Sequence, residues 1–327
     1  MLRMPLTLRC ALTALLCLFA TVAGRAQTPA GPMPGAGVPV VIDDEAIEAK
    51  ILAACAGLRE RGELVACSVL ARGPTSAELP RVPVVVLHEQ ALTAPDLRDR
   101  LLRSLRIVGH HYRCRECDKW HFSGASGFCV DTGGTIATCH HVVPDDETML
   151  DAALVVADLA GNAWPVQAVL AADAVSDLVL LRTSARDTVP LPIRAEVRVG
   201  ERVYCASNPD HQFGYFSEGL VARRFALREP EGAAAGKPKA GALPVASEWL
   251  HVTCEFAKGS SGGPIVDAMG NVVGIAQSTS TVVYDEDAQP VDTQMVFRIA
   301  APGRALLALM LPPASAGSAM PGKPPAR

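Results

Sequence analysis

Six consecutive residues, Gly259-Ser260-Ser261-Gly262-Gly263-Pro264, set a serine on a tight glycine turn just ahead of the strand-like run Asn271-Val272-Val273-Gly274-Ile275. Such a turn exposes a hydroxyl while neighbouring backbone N–H groups, here those of Gly259 and Ser261, converge on one point. Donors fixed there stabilise negative charge as it develops on a carbonyl oxygen. Glycine supplies the unusual dihedrals and the close approach of a ligand to the backbone. A serine hydroxyl is a weak nucleophile at its ordinary pKa and needs a base that is itself held by an acid. Thr138-Cys139-His140-His141-Val142-Val143 follows the turn Asp131-Thr132-Gly133-Gly134 and places a histidine where a buried strand ends. Val175-Ser176-Asp177-Leu178-Val179-Leu180-Leu181 sets an acid directly before a wholly apolar strand. A carboxylate entering a dry interior must find a donor such as an imidazole N–H. Each feature alone is commonly structural; in the order His, Asp, Ser they point to acyl transfer.

A second cluster is Cys114-Arg115-Glu116-Cys117-Asp118-Lys119-Trp120-His121, with His110 and His111 upstream. C-x-x-C spacing with a nearby histidine suits tetrahedral zinc, but complete structural sites more often show two such pairs. In an oxidising compartment a disulfide is the simpler reading. The expectation is therefore no metal and no cofactor, and no H-E-x-x-H helix suggests a zinc hydrolase.

The compartment is read from the N-terminus. Arg3 and Arg9 precede an apolar run from Cys10 to Ala23, and Gly24-Arg25-Ala26 offers a small-residue cleavage site, so residues 1–26 read as a secretory signal. The run falls short of the ~20 residues a bilayer span needs, so no stable membrane span is expected after its removal. The chain is thus expected to be periplasmic or secreted. Cys55, Cys67, Cys114, Cys117, Cys129, Cys139, Cys205 and Cys254 remain. An even number in an exported chain argues for disulfides. Chain proximity suggests Cys55 with Cys67, Cys114 with Cys117, and Cys129 with Cys139, leaving Cys205 for Cys254. The formal charge of −4 is modest and the 30 Lys and Arg are scattered, which argues against nucleic acid as a partner.

Two kinds of element must position the reactive residues. Residues 27–42 form a flexible Pro/Gly-rich lead-in, and residues 43–104 a small N-terminal region. There Asp43 or Asp44 caps a helix through Arg61, residues 64–70 and 82–87 read as short strands, and residues 95–105 as a helix with Leu97, Leu101, Leu102 and Leu105 on one face. From about Ile107 the pattern becomes many short apolar strands between Gly, Pro, Asp and Asn, as in a sandwich or barrel. Strands are expected at residues 127–130, 135–139, 154–157, 178–182, 202–206, 250–254 and 272–276, and a helix at 302–311. Residues 229–246 read as a long loop and 313–327 as a disordered tail. No internal sequence repeat is evident.

Over residues 107–311 these segments resemble the trypsin-like serine peptidases, most closely the bacterial HtrA/Deg branch. Thr138-Cys139-His140-His141-Val142-Val143 resembles that family's histidine motif and selects His141 as base. Ser176-Asp177-Leu178-Val179-Leu180-Leu181 resembles its acid motif and selects Asp177 over Asp173, and the Gly259 to Pro264 turn its nucleophile motif. Val203 to Pro209, Glu218-Gly219-Leu220-Val221 and Val296 to Ala300 resemble strands of the second barrel. The resemblance implies an all-β fold of two six-stranded antiparallel barrels in a peptidase domain at residues 105–312, with His141, Asp177 and Ser261 in the cleft and a Gly259/Ser261 oxyanion hole. It implies a polypeptide substrate extended along Ile275, Gln277 and Thr279. It also puts Glu255, with Phe256 beside it, at the floor of the primary pocket, where an acid would favour Lys or Arg. Cys139 stands where an asparagine is usual, and Ser260 where an asparagine or aspartate is common. No PDZ-type module is expected after residue 312, and the oligomeric state is left open. The competing reading is a catalytically silent scaffold of this fold that binds peptides or protein partners.

Overall fold

The structure, a computed structural model, describes residues 41–74, 82–144, 147–186, 188–228, 246–284 and 292–311. The expected leader at 1–26, the lead-in up to residue 40, loop residues 229–245 and the tail at 313–327 lie outside the described residues.

Among the described residues, twelve antiparallel strands close into two barrels. The first uses β1 (Leu105–Cys114), β2 (Trp120–Cys129), β3 (Thr135–Cys139), β4 (Met149–Ala157), β5 (Ala163–Asp173) and β6 (Leu178–Thr183), in the order β1-β2-β3-β6-β5-β4. The second uses β7 (Arg202–Ser207), β8 (Tyr215–Arg228), β9 (Ala246–Val252), β10 (Pro264–Val266), β11 (Val272–Val283) and β12 (Thr293–Pro302). Its order, β7-β8-β9-β12-β11-β10, repeats the first strand for strand. This duplicated topology left no trace in the sequence, because a barrel constrains alternation and turn positions rather than residue identity. The apolar runs fill the interiors: Leu154, Val156, Leu178 and Leu180 lie in the first core, and Val203, Leu250, Val252 and Ile265 in the second.

Helix α1 (Asp44–Glu60) begins at Asp43, whose side chain accepts a hydrogen bond from the Ala46 N–H at 3.0 Å, and buries Ile47, Ile51, Cys55 and Leu58. Ile47, Ile51 and Cys55 pack with Ile107, Phe122, Val155 and Phe213. Helix α2 (Cys67–Leu70) is followed by α3 (Ala94–Ser104), which Thr93 caps and which buries Leu97, Leu101 and Leu102. Helix α4 (Gly303–Met310) closes the fold with Leu306 buried against the first core. The two strands expected in the N-terminal region are not formed. Residues 67–70 are α2, and only Ala66 makes an isolated bridge, to Ala153. Residues 82–87 take no regular structure; Val82 is buried, whereas Val84, Val86 and Leu87 are exposed, so their β propensity finds no partner strand.

No disulfide joins any of the eight described cysteines, so none of the four expected bridges is formed. Cys55 lies under α1 and Cys67 in the first-barrel core, in separate apolar clusters. Cys129 faces Ile136 across the β2–β3 ladder, while Cys139, at the far end of β3, donates its thiol to the Ala276 carbonyl at 3.3 Å. Cys205 and Cys254 share the second core, where Cys254 donates to the Val203 carbonyl at 3.5 Å. Burial pushes the Cys55 and Cys254 thiols up to about 12, which keeps them protonated and inert.

His111 joins α1 to the first barrel. Its ring stacks on Trp120 with centroids 4.6 Å apart, Arg59 lies over the same indole at 3.9 Å, and Arg59 Nη1 donates to His111 Nε2 at 3.2 Å. The imidazole is 1% exposed, and burial followed by the Arg59 charge lowers its pKa to about 4. In the unfolded chain it titrates near 6.5. Between these values the unfolded state binds more protons, so the contribution is fully present above pH 6.5 and is lost as the pH falls towards 4, by up to about 3 kcal/mol. His111→Gln keeps an acceptor for Arg59 and does not titrate. Thermal melts from pH 7 to pH 4.5 should show a smaller loss of Tm for His111→Gln than for the wild type; parallel losses would count against this role.

Candidate active site

Register brings the histidine and the aspartate together. Cys139, the last residue of β3, pairs with Leu178, the first of β6, so the residues just beyond, His141 and Asp177, meet at one end of the first barrel. A short 3-10 turn at His140–Val142 swings His141 outward, and the His140 N–H donates to the Asp177 carbonyl at 3.0 Å. Asp177 has φ of +53°, a left-handed conformation that Asp tolerates better than most residues. Its carboxylate faces donors on every side. Oδ1 accepts the His141 backbone N–H at 2.9 Å, and Oδ2 lies 2.6 Å from His141 Nδ1 and accepts the Gln277 amide at 3.0 Å. Burial alone would raise the Asp177 pKa, but the His141 hydrogen bond and charge, with the Gln277 amide, hold it below the ordinary carboxylate value. The group is therefore an anion at neutral pH.

Ser261 comes from the second barrel. Its Oγ lies 3.0 Å from His141 Nε2 and 3.0 Å from the Gln277 carbonyl, so its one proton has two acceptors. The turn is clamped across the barrels by Ser126 of β2, whose N–H donates to the Ser261 carbonyl and whose hydroxyl donates to the Gly259 carbonyl, both at 2.9 Å. The approach is close enough to require glycine: a Cβ on Gly262 would sit 2.1 Å from the Ser126 carbonyl oxygen. At Gly259, with φ of +89°, a Cβ would meet the Asn208 carbonyl oxygen at 2.6 Å. The Lys258 carbonyl is turned away towards the Asp210 N–H at 2.7 Å. That leaves the Gly259 and Ser261 N–H groups without an acceptor among the described residues.

The loop carrying Asp210 is tied to α1. Asp44 Oδ1 accepts the Phe213 N–H at 2.9 Å, and Glu48 lies 3.2 Å from His211 Nδ1. The sequence offered no signal for this tie, because it rests on contacts between residues far apart in the chain.

Two cavities meet at the His141–Ser261 pair. One, of about 600 Å³, is lined by Val175, Trp249, Ala257, Gln277, Ser278 and Thr279; the other, of about 330 Å³, by residues of the β1–β2 hairpin and by Asp210 and His211. Three of the expected substrate-binding residues are not among those lining either cavity. Glu255 points to the surface and forms an ion pair with Arg298 of β12, Phe256 is buried in the second core, and Ile275 is fully buried between the barrels. An exposed acid with a cation on the next strand has no reason to enter a pocket. Gln277 and Thr279 do line the cleft. Gln277 falls at the register shift between Ala276 and Ser278 in the β11–β12 ladder, a bulge that turns its amide to Asp177 and its carbonyl to Ser261. Its bond to the acid was missed, since a glutamine in a strand carries no such signal. Trp249, Lys258 and Val175 were also missed as cleft residues.

Residues 125–275 match the model of the trypsin-like peptidase domain. The chain is 30% identical over 175 residues to the mitochondrial serine protease HTRA2 of Bos taurus, a match spanning 52% of this chain and 34% of that protein. It is 31% identical over 163 residues to a probable periplasmic serine endoprotease, DegP-like, of Brucella suis, spanning 46% of this chain and 26% of that one. The chain thus covers about a third or less of the length of these relatives. Among solved structures, the HtrA-type protease AlgW with a decapeptide aligns with a TM-score of 0.49 and 15% identity, over 67% of this chain and 66% of that one. The matched stretch spans His141, Asp177 and Ser261, and over it the chain is similar to the trypsin-like peptidase domain.

Proposed function

We propose that this chain is an exported serine endopeptidase in which Ser261 is the nucleophile, His141 the base and Asp177 the orienting acid. The observation that carries the reading is the continuous contact from Asp177 Oδ2 through His141 to Ser261 Oγ, at 2.6 and 3.0 Å. Asp177 accepts the Nδ1–H, which leaves Nε2 unprotonated and facing the hydroxyl. As Oγ attacks the scissile carbonyl carbon, its proton passes to Nε2, and the imidazolium that forms is stabilised by the Asp177 anion. The carbonyl oxygen takes up the charge between the Gly259 and Ser261 N–H groups. The proton on Nε2 then goes to the leaving amine, and a water activated by the same nitrogen hydrolyses the acyl-enzyme. A substrate extended along Gln277 to Thr279 adds backbone hydrogen bonds as an extra strand. The region at 43–104 braces the site through Asp44 and Glu48, which hold the loop whose Asp210 N–H fixes the Lys258 carbonyl. Export rests on the N-terminal leader pattern.

Incubation with unfolded casein, followed by mass analysis, should give internal cleavage products that disappear after treatment with a fluorophosphonate. Intact casein recovered in a stable complex would favour the scaffold reading. The larger cavity holds Trp249, Val175 and the cation Lys258, and its carboxylate, Asp177, is already committed to His141. Peptides with an apolar residue before the cleaved bond should therefore react faster than those with Lys or Arg. Glu255→Ala should leave that preference unchanged and cost no more than about 1 kcal/mol, because the pair it breaks is exposed on the Glu255 side. A preference for Arg that Glu255→Ala abolishes would contradict this.

A further inference from the structure

We propose that Cys114, Cys117 and His121 form a zinc-binding site at the tip of the β1–β2 hairpin, separate from the active site. β1 ends at Cys114 and β2 starts at Trp120. The turn between them is closed by the Cys114 N–H donating to the Lys119 carbonyl at 2.8 Å and by the Asp118 N–H donating to the Cys114 carbonyl at 2.9 Å. Asp118 takes φ of +58°, a left-handed conformation that turns the chain tightly into β2. His121, paired with Tyr112 across the ladder, brings its Nε2 to 3.0 Å from Cys117 Sγ. The three donor atoms lie within 4.8 Å of one another.

Two thiolates and an imidazole converging on one point are a soft donor set that suits zinc, at ~2.3 Å from sulfur and ~2.0 Å from nitrogen. A disulfide between Cys114 and Cys117 needs no third donor, whereas His121 Nε2 is held 3.0 Å from Cys117 Sγ. A Cys114–Cys117 bridge would also leave the placement of His121 without a purpose. Cys117 is exposed, so the small opening of the triangle that a metal needs meets no packing, and water can complete the tetrahedron. Binding releases the two thiol protons to solvent, with zinc remaining divalent. Among the described residues the other trio of this kind, Cys139, His141 and Asp177, belongs to the active site, and its buried thiol already donates to the Ala276 carbonyl. The same hairpin contributes Ser123, Gly124 and Ala125 to the cavity beside Ser261, so a metal at its tip would stiffen one wall of the cleft.

The test uses the full chain, reduced and free of chelators, titrated with zinc chloride alone and then with cobalt chloride. One equivalent of zinc should bind and raise the Tm, and cobalt should give a thiolate-to-metal charge-transfer band with the visible bands of a tetrahedral ion. Cys114→Ser and Cys117→Ser should each abolish the band and the rise in Tm. His121→Ala should weaken zinc binding by more than the roughly 10–100-fold seen on losing an outer-shell partner. Circular dichroism checks that each variant is folded, and if Cys114→Ser is not, the exposed Cys117→Ser decides. No zinc uptake by the reduced wild type, or unchanged uptake by folded Cys117→Ser, would overturn the proposal.

Discussion

Ser261→Ala is expected to lower kcat for peptide hydrolysis by about 10⁴- to 10⁶-fold while leaving KM and Tm nearly unchanged. Among the described residues the hydroxyl hydrogen-bonds to the His141 ring and the Gln277 carbonyl, and both line the open cleft, where water can replace it. The Gly259 and Ser261 N–H groups stay in place, and with substrate binding they account for the residual ~10³–10⁴-fold advantage over water that such variants retain. Steady-state kinetics with a fluorogenic peptide, together with a thermal melt, checks this. A loss below tenfold would mean that another group attacks the carbonyl.

Asp177→Asn should lower kcat by about 10⁴-fold at neutral pH, again with a folded protein. The argument lies in what surrounds the carboxylate. Oδ1 faces the His141 backbone N–H, a donor that cannot turn away, so an asparagine must point its carbonyl oxygen there. Its NH₂ then takes the Oδ2 position, facing His141 Nδ1 and the Gln277 amide. A donor at that place forces Nδ1 to accept, which puts the proton on Nε2 and blocks it as a base for Ser261. The change alters one atom and little volume, so a matching loss in Gln277→Ala is not expected; that variant removes only one of three donors to the acid. If Asp177→Asn kept more than a tenth of wild-type kcat, the tautomer argument would fail.

The barrels were readable because barrel strands announce themselves locally. Short apolar runs between Gly, Pro, Asp and Asn gave β3 at its observed limits and located β6, β7 and β11, and the residues flanking β3 and β6 carried the histidine and the acid. The ends of those strands were less legible: β11 runs on to Val283, because its exposed half pairs with β12 and carries little apolar signal. Residues 82–87 show the opposite failure. Their Val-rich composition suits a strand, but pairing needs a partner that the fold does not provide. Glu255 was placed in a pocket by its distance from Ser261 along the chain, whereas its position is decided by Arg298 on a strand that sequence alone does not bring beside it. The Gln277 contact likewise depends on a bulge, and the brace from Asp44 to the 209–214 loop on long-range docking. The cysteine pairs fail for a related reason. Nearness along the chain says nothing about which core a side chain enters, and Cys55 and Cys67 enter different ones.

A fluorophosphonate probe reacts only with a serine whose proton is removed by a neighbouring base and whose adduct oxygen is held by fixed donors, which are the two properties assigned to Ser261. The protein should be labelled stoichiometrically, with the adduct found by peptide mapping on Ser261 and lost in Ser261→Ala and in His141→Ala. Equal labelling of wild type and Ser261→Ala, or none of the folded wild type, would contradict the assignment of Ser261 as an activated nucleophile.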